Sequence, residues 1–234
     1  MEEIEGIRRL AEEVLTFQGP SGHSERWLWE KAARIARNAE LITKLPELTK
    51  KGESFDIFSL LAAAYLSDAG YRLYSQVKGQ TLAEAVVELR GRQLRDYSIQ
   101  LVKEKETASL FKGKTDHICR IIAEVENRST QLTEAKILSD ARLLDEIGAI
   151  GLFQEIRRYF LQGKGAGALL EGWDRRIEYR YWEARLKEGF HYQTVRQIAQ
   201  GRFAAMEQYI RQLRKEYLGQ DLQNIELESF NTIS

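Results

Sequence analysis

Two prolines, Pro20 and Pro46, in 234 residues are the tightest constraint on what this chain can fold into. Proline lacks a backbone donor and its ring clashes with the preceding helical turn, so helix interiors exclude it, whereas turns accumulate it. A chain this long with so few turns into helix almost throughout. The apolar residues agree, recurring at three-and-four spacing with no sustained strand alternation and no repeat of fixed period. The predicted class is all-α: a single-domain helical bundle over 1–220, with a flexible tail at 221–234.

The spacing predicts a helix over Ile4–Thr16, a break at Gln18–Gly22, and a second helix in which Leu28, Ala32, Ile35, Ala36, Ala39 and Ile42 share a face. His23 stands at the first turn of that second helix. After a polar loop over Lys44–Ser54, Phe55–Gly70 is apolar nearly all round and reads as the central buried helix. Tyr71–Gly79 continues it, Leu82–Leu101 gives one or two helices interrupted by Gly91, Lys103–Lys114 is a loop or short helix, and Thr115–Val125 is another helix. Lys136–Tyr159 reads as one helix. Gly163–Gly172 (GKGAGALLEG) reads as a mobile loop, Trp173–Leu186 as an aromatic, arginine-rich packing segment, and Thr194–Leu218 as a closing helix with Val195, Ile198, Phe203, Met206, Ile210, Leu213 and Tyr217 facing inward.

Lys plus Arg and Asp plus Glu are equal at 35 each, which removes the overall basic field of a non-specific nucleic-acid binder. Cys119 is the only cysteine, so an internal disulfide and a multi-cysteine zinc site are excluded; on its patterned helix it is a core residue. The N-terminal stretch lacks the apolar core of a signal peptide, and the longest oily run, Ile57–Leu66, is too short to cross a bilayer. The expected location is cytoplasmic, with no membrane partner.

Two acids fall where oily residues belong. In Lys136–Phe153 (KILSDARLLDEIGAIGLF), Asp140 shares a helical stripe with Leu144 and Ile147; Asp68 lies near the end of the central helix, on a stripe with Leu61, Ala64 and Tyr65. A buried carboxylate is protonated, paired with a cation or bound to a metal. Arg26 or Arg142 would serve as an ordinary partner; a metal shared with His23 is the sharper alternative.

Several segments resemble the HD superfamily of metal-dependent phosphohydrolases, in its bacterial branch of small nucleotide hydrolases. GHSERWLWEKAARIA is similar to the superfamily's opening, in which a histidine followed by x-x-Arg supplies a metal ligand. LLAAAYLSDAG resembles the central helix ending in the His-Asp pair, LTEAKILSDARLLDEIGAIGLF the stretch with the last aspartate, and TVRQIAQGRFAAMEQYIRQLRKEYL the terminal helix. The resemblance spans about Gly22 to Leu218. It implies His23, Asp68 and Asp140 as ligands of one divalent ion (Mn, Fe, Co, Ni, Zn or Mg), with Asp68 and Arg26 serving catalysis and Arg26 touching phosphate or steadying a carboxylate. The ion would activate water for attack on phosphorus, and the partner would be a small phosphorylated substrate such as a nucleotide.

The chain departs from the pattern at Ser67, which replaces the histidine of the pair. A neutral hydroxyl is a poor ligand for such ions, and even an outer partner's loss costs roughly 10 to 100-fold in metal affinity. Arg142 stands where the family usually has a second acid, and Tyr71 where one nucleotidase branch has a catalytic glutamate. Two functions therefore stand side by side: a phosphohydrolase with a depleted site, and an inactive HD-fold pseudoenzyme that binds a ligand or partner. His117 and Glu124, seven apart on one face, are candidate substitutes for the missing imidazole, although a surface histidine and a solvated glutamate explain them more simply. The GKT at Gly113–Thr115 lacks the preceding glycine and strand of a phosphate loop.

Overall fold

The computed structural model describes residues 2–19, 22–50 and 54–223. Its elements are α1 (Glu2–Leu15), a hairpin of β1 (Phe17–Gln18) and β2 (Ser24–Glu25), α2 (Trp27–Ile42), α3 (Pro46–Thr49), α4 (Ile57–Leu66), α5 (Gly70–Lys78), α6 (Leu82–Glu88), α7 (Gly91–Lys103) and α8 (Lys105–Ala108). A short 3-10 turn (Ser109–Phe111) leads to α9 (Thr115–Glu124), α10 (Thr133–Asp145), α11 (Ala149–Leu161), α12 (Ala166–Glu178), α13 (Tyr181–Glu188), α14 (Gln193–Tyr217) and α15 (Gln220–Gln223). The only strands among the described residues are the two antiparallel pieces of the hairpin, with Phe17 opposite Glu25 and Gln18 opposite Ser24. No helix among the described residues is long and apolar enough to cross a membrane. Most of the expected flexible tail, 224–234, lies outside the described residues.

The all-round apolar character of α4 makes it the centre, because a helix with no polar face must be covered on all sides. Phe58, Leu60, Ala62, Ala63, Ala64 and Leu66 are buried, and α1, α2, α9 and α10 pack around them. Cys119 is buried in α9, as its pattern predicts. The central helix is shorter than expected. It ends at Leu66, capped by Ser67, and Asp68 sits in the turn before α5.

That turn is fastened to α7 by a relay through one hydroxyl. Ser98 Oγ accepts from the Gly70 amide at 2.9 Å and donates to the Ser67 carbonyl at 2.9 Å. The approach is possible because Gly70 has no side chain: a Cβ there would stand 2.4 Å from the Leu94 carbonyl oxygen and 2.7 Å from the Ser98 nitrogen. Both are backbone atoms, so neither can rotate away. Gly70→Ala is expected to destabilise the fold by roughly 1–3 kcal/mol through overpacking, lowering the midpoint of thermal unfolding by about 3–10 °C. A variant that melts with the wild type in calorimetry would show that α5 and α7 are not held this closely.

Three expectations are corrected. The segment read as one helix over Lys136–Tyr159 is two, α10 and α11, parted where Gly148 adopts φ +92, a conformation side chains rarely take. The glycine-rich 163–172 is not a loop beyond Gly165: α12 begins at Ala166, since Leu169, Leu170 and Trp173 gain burial that outweighs the low helix propensity of Gly167 and Gly172. On α14, Val195, Met206 and Ile210 face the core as predicted, but Ile198 and Tyr217 are exposed. Trp173 and Trp182 instead close this end by packing on Phe203, with ring centroids 5.9 and 5.6 Å away.

Candidate functional site

Lys31 is the residue on which the site turns. On α2 it lies three residues after Leu28 and four before Ile35, both buried, so its stem follows the oily face and carries an ammonium inward. Its Nζ stands 2.8 Å from Asp68 Oδ2. From the other side α10 brings Arg142, whose Nη1 donates to Asp68 Oδ1 at 3.0 Å and to Ser67 Oγ at 2.5 Å. Asp68 is 1% exposed, and Lys31 and Arg142 are 18% and 19% exposed, so one buried carboxylate is clasped by two cations that still reach an opening.

Burial by itself would raise the Asp68 pKa, but the charges of Arg142 and Lys31 outweigh it and hold the carboxyl well below the ordinary range. Burial likewise disfavours the Lys31 ammonium, yet Asp68 more than restores it and its pKa ends raised. The three groups are therefore all ionised at neutral pH, and the clasp carries one positive charge in excess.

The opening is a cavity of about 580 Å³ between α2, α5, α10, α11 and α13, within the size range of small-molecule sites. Eight of its lining residues are lysine or arginine and four are glutamate, so its wall is cationic although the chain as a whole is neutral. Some of these charges are matched: Arg34 Nε meets Asp145 Oδ1 at 2.9 Å, Arg158 and Arg176 share Glu155, and Arg185 pairs with Glu146. Arg157 is freer. Its guanidinium lies over the Trp27 ring at 5.4 Å and the Phe153 ring at 5.5 Å, with Glu25 at 4.0 Å. Tyr71, at the expected catalytic-glutamate position, also lines the cavity.

The expected metal ligands are not gathered. Among the described residues no group of three or more His, Cys, Asp and Glu side chains could hold a metal ion. His23 is exposed, just before β2. Arg26 is also exposed and pairs with Glu12. Asp140 is buried, but its two oxygens accept from the backbone amides of His191 at 2.8 Å and Tyr192 at 3.0 Å. Burial pushes its carboxyl up to about 7, against the pull of those two amides. Asp68 alone of the three is held by residues that line the cavity, and a cation arriving there would meet an ammonium and a guanidinium already seated on both oxygens. The donor set does not fit a divalent ion. Nor do the candidate substitutes converge, since His117 Nε2 lies 3.2 Å from Glu134 and Glu124 pairs with Arg120.

Of the two ordinary partners considered for a buried aspartate, Arg142 is the one used by Asp68. Lys31, Arg34 and Asp145 escaped the sequence reading. A signal for Lys31 was present, a lysine on the stripe of Leu28 and Ile35, and Asp145 is four residues from Ala141 and seven from Leu138 on the buried face of α10.

No family model matches the sequence. YpgQ of Bacillus subtilis (strain 168) is 26% identical over 228 residues, covering 94% of this chain and 97% of YpgQ. A crystal structure of YpgQ in complex with ADP superposes with a TM-score of 0.53 at 25% identity, covering 92% of this chain and 95% of that one. A second crystal structure of YpgQ gives 0.55 at 23% identity with the same coverage, and the Lin1889 protein of Listeria innocua gives 0.50 at 19%, covering 96% and 98%. The chain therefore shares the all-helical fold of YpgQ.

Proposed function

We propose that this protein binds a phosphorylated small molecule of nucleotide size in the cationic cavity and does not hydrolyse it by the metal-dependent route of the superfamily. The observation that carries this reading is the clasp on Asp68. Both oxygens of Asp68, a buried acid of the expected ligand set, are engaged by Lys31 and Arg142, and both cations line the cavity. An arginine-rich wall suits phosphate, whose oxygens accept several charge-assisted bonds at once. YpgQ, crystallised with ADP, makes a nucleoside diphosphate the natural first ligand to try. The reading is thus the pseudoenzyme form of the HD fold.

Calorimetric titration with ADP and with adenosine tests it, alongside phosphate release from a nucleotide panel with added manganese. ADP is expected to bind at least about tenfold tighter than adenosine, since one well-made bond to a charged group is worth about that much. No release above a protein-free control is expected. Manganese-dependent release that vanishes in Asp68→Asn would restore the hydrolase reading and end this one.

A further inference from the structure

Within the cavity one region is distinguished by charge and by a phenol hydroxyl set beside it. The clasp leaves two cations against a single buried carboxylate, and Glu146, a further acid whose charge acts on Arg142, is already paired with Arg185. A positive charge held out of water without its counter-ion is unfavourable, and the remedy is an anion delivered through the opening. Tyr71 supplies the second observation. It is 7% exposed, lines the same cavity, and stands close enough to the clasp for the charges of Asp68, Lys31 and Arg142 to act on its hydroxyl. Here a phenol hydroxyl at the cavity wall stands beside a clasp with surplus positive charge, together the complement of a phosphate oxygen.

We propose that Lys31, Arg142 and Tyr71 form a phosphate-binding floor that needs no divalent ion, the internal salt bridge to Asp68 providing the positive charge a metal would otherwise supply. This rests on the reading of the protein as a binder of phosphorylated ligands and names where and how the phosphate is held. Asp68 acts as a positioning residue: it fixes the two cations in place and neutralises only one of them. The Ser67 hydroxyl, 2.5 Å from Arg142 Nη1, steadies the guanidinium from behind. A histidine there would meet the guanidinium, so Ser67 and Arg142 suit one another as a pair.

The test is calorimetric titration of the full chain with inorganic pyrophosphate, in EDTA and again with manganese, with ADP run in parallel. Wild type is expected to bind pyrophosphate in EDTA with an affinity within about twofold of that in manganese, because no ion bridges the contact. Tyr71→Phe, which keeps the ring, is expected to weaken pyrophosphate about tenfold by removing one bond to a charged acceptor. Lys31→Met, which keeps the buried stem and leaves Arg142 on Asp68, is expected to weaken it by at least as much. Binding that requires manganese, or that is unchanged in Tyr71→Phe, overturns the proposal. If ADP still binds in either case, the broader reading of a phosphorylated-ligand binder stands and only the floor is lost; if ADP fails as well, both fall.

Discussion

Asp68→Ala is expected to destabilise the protein by roughly 3–5 kcal/mol, the cost of leaving a buried ionic partner unmatched. Lys31 and Arg142 would remain, 18% and 19% exposed, facing each other with nothing between them. The repulsion is felt at low effective dielectric, where charges interact several times more strongly than in water. Replacing all three groups together, as Lys31→Met with Asp68→Leu and Arg142→Leu, should recover most of that loss, since a whole buried ion cluster exchanged for apolar groups is often neutral in stability. Urea denaturation of the single and triple variants checks both statements. An alanine variant as stable as wild type would mean that the clasp is solvated and that the surplus charge needs no ligand.

Asp140→Ala is the second large effect, and it depends on pH. The substitution strands two buried amides at the start of α14, those of His191 and Tyr192, at roughly 1–3 kcal/mol each. In the folded protein burial holds the Asp140 proton up to about 7, whereas the unfolded chain releases it near 3.8. Between those values the unfolded state binds fewer protons, so this group's contribution to stability falls as pH rises through the window. The cost of removing Asp140 should therefore be larger at about pH 4.5 than at about pH 8. Asp68 works with the opposite sign: its depressed pKa contributes stability above the ordinary carboxylate range that is lost as pH falls. Urea denaturation of Asp140→Ala and wild type at the two pH values gives the comparison, and a cost that grows with pH would refute the account of Asp140.

The helices were legible because each is built on a stripe. Leu28, Ile35 and Ala39 on α2, or Ile118, Ile121 and Ile122 on α9, repeat at the helical period and are buried where that period puts them. That Asp68 and Asp140 are buried was legible by the same rule. What each acid does was not, for two different reasons. The Asp68 partners sit far apart in sequence, and Lys31 differs from a solvated lysine only by the stripe it shares. Asp140 binds backbone amides, which every residue except proline has, so no side-chain pattern could announce the partner. Reading a shared metal from His23, Asp68 and Asp140 assumed that acids aimed inward are aimed at one point. The break at Gly148 and the helix over Ala166–Glu178 were missed because glycine marks both a turn and a close approach.

The cavity wall has a mechanical consequence. Its residues come from 27–34, 71, 86–94, 126, 142–161 and 176–185, segments that are strangers along the chain and meet only in the assembled bundle. A molecule seated there bridges the early and late helices at once, so its free energy of association is withdrawn from every opening that separates them. Occupancy would accordingly slow amide exchange in α2 and α13 together, although no hydrogen bond joins the two helices.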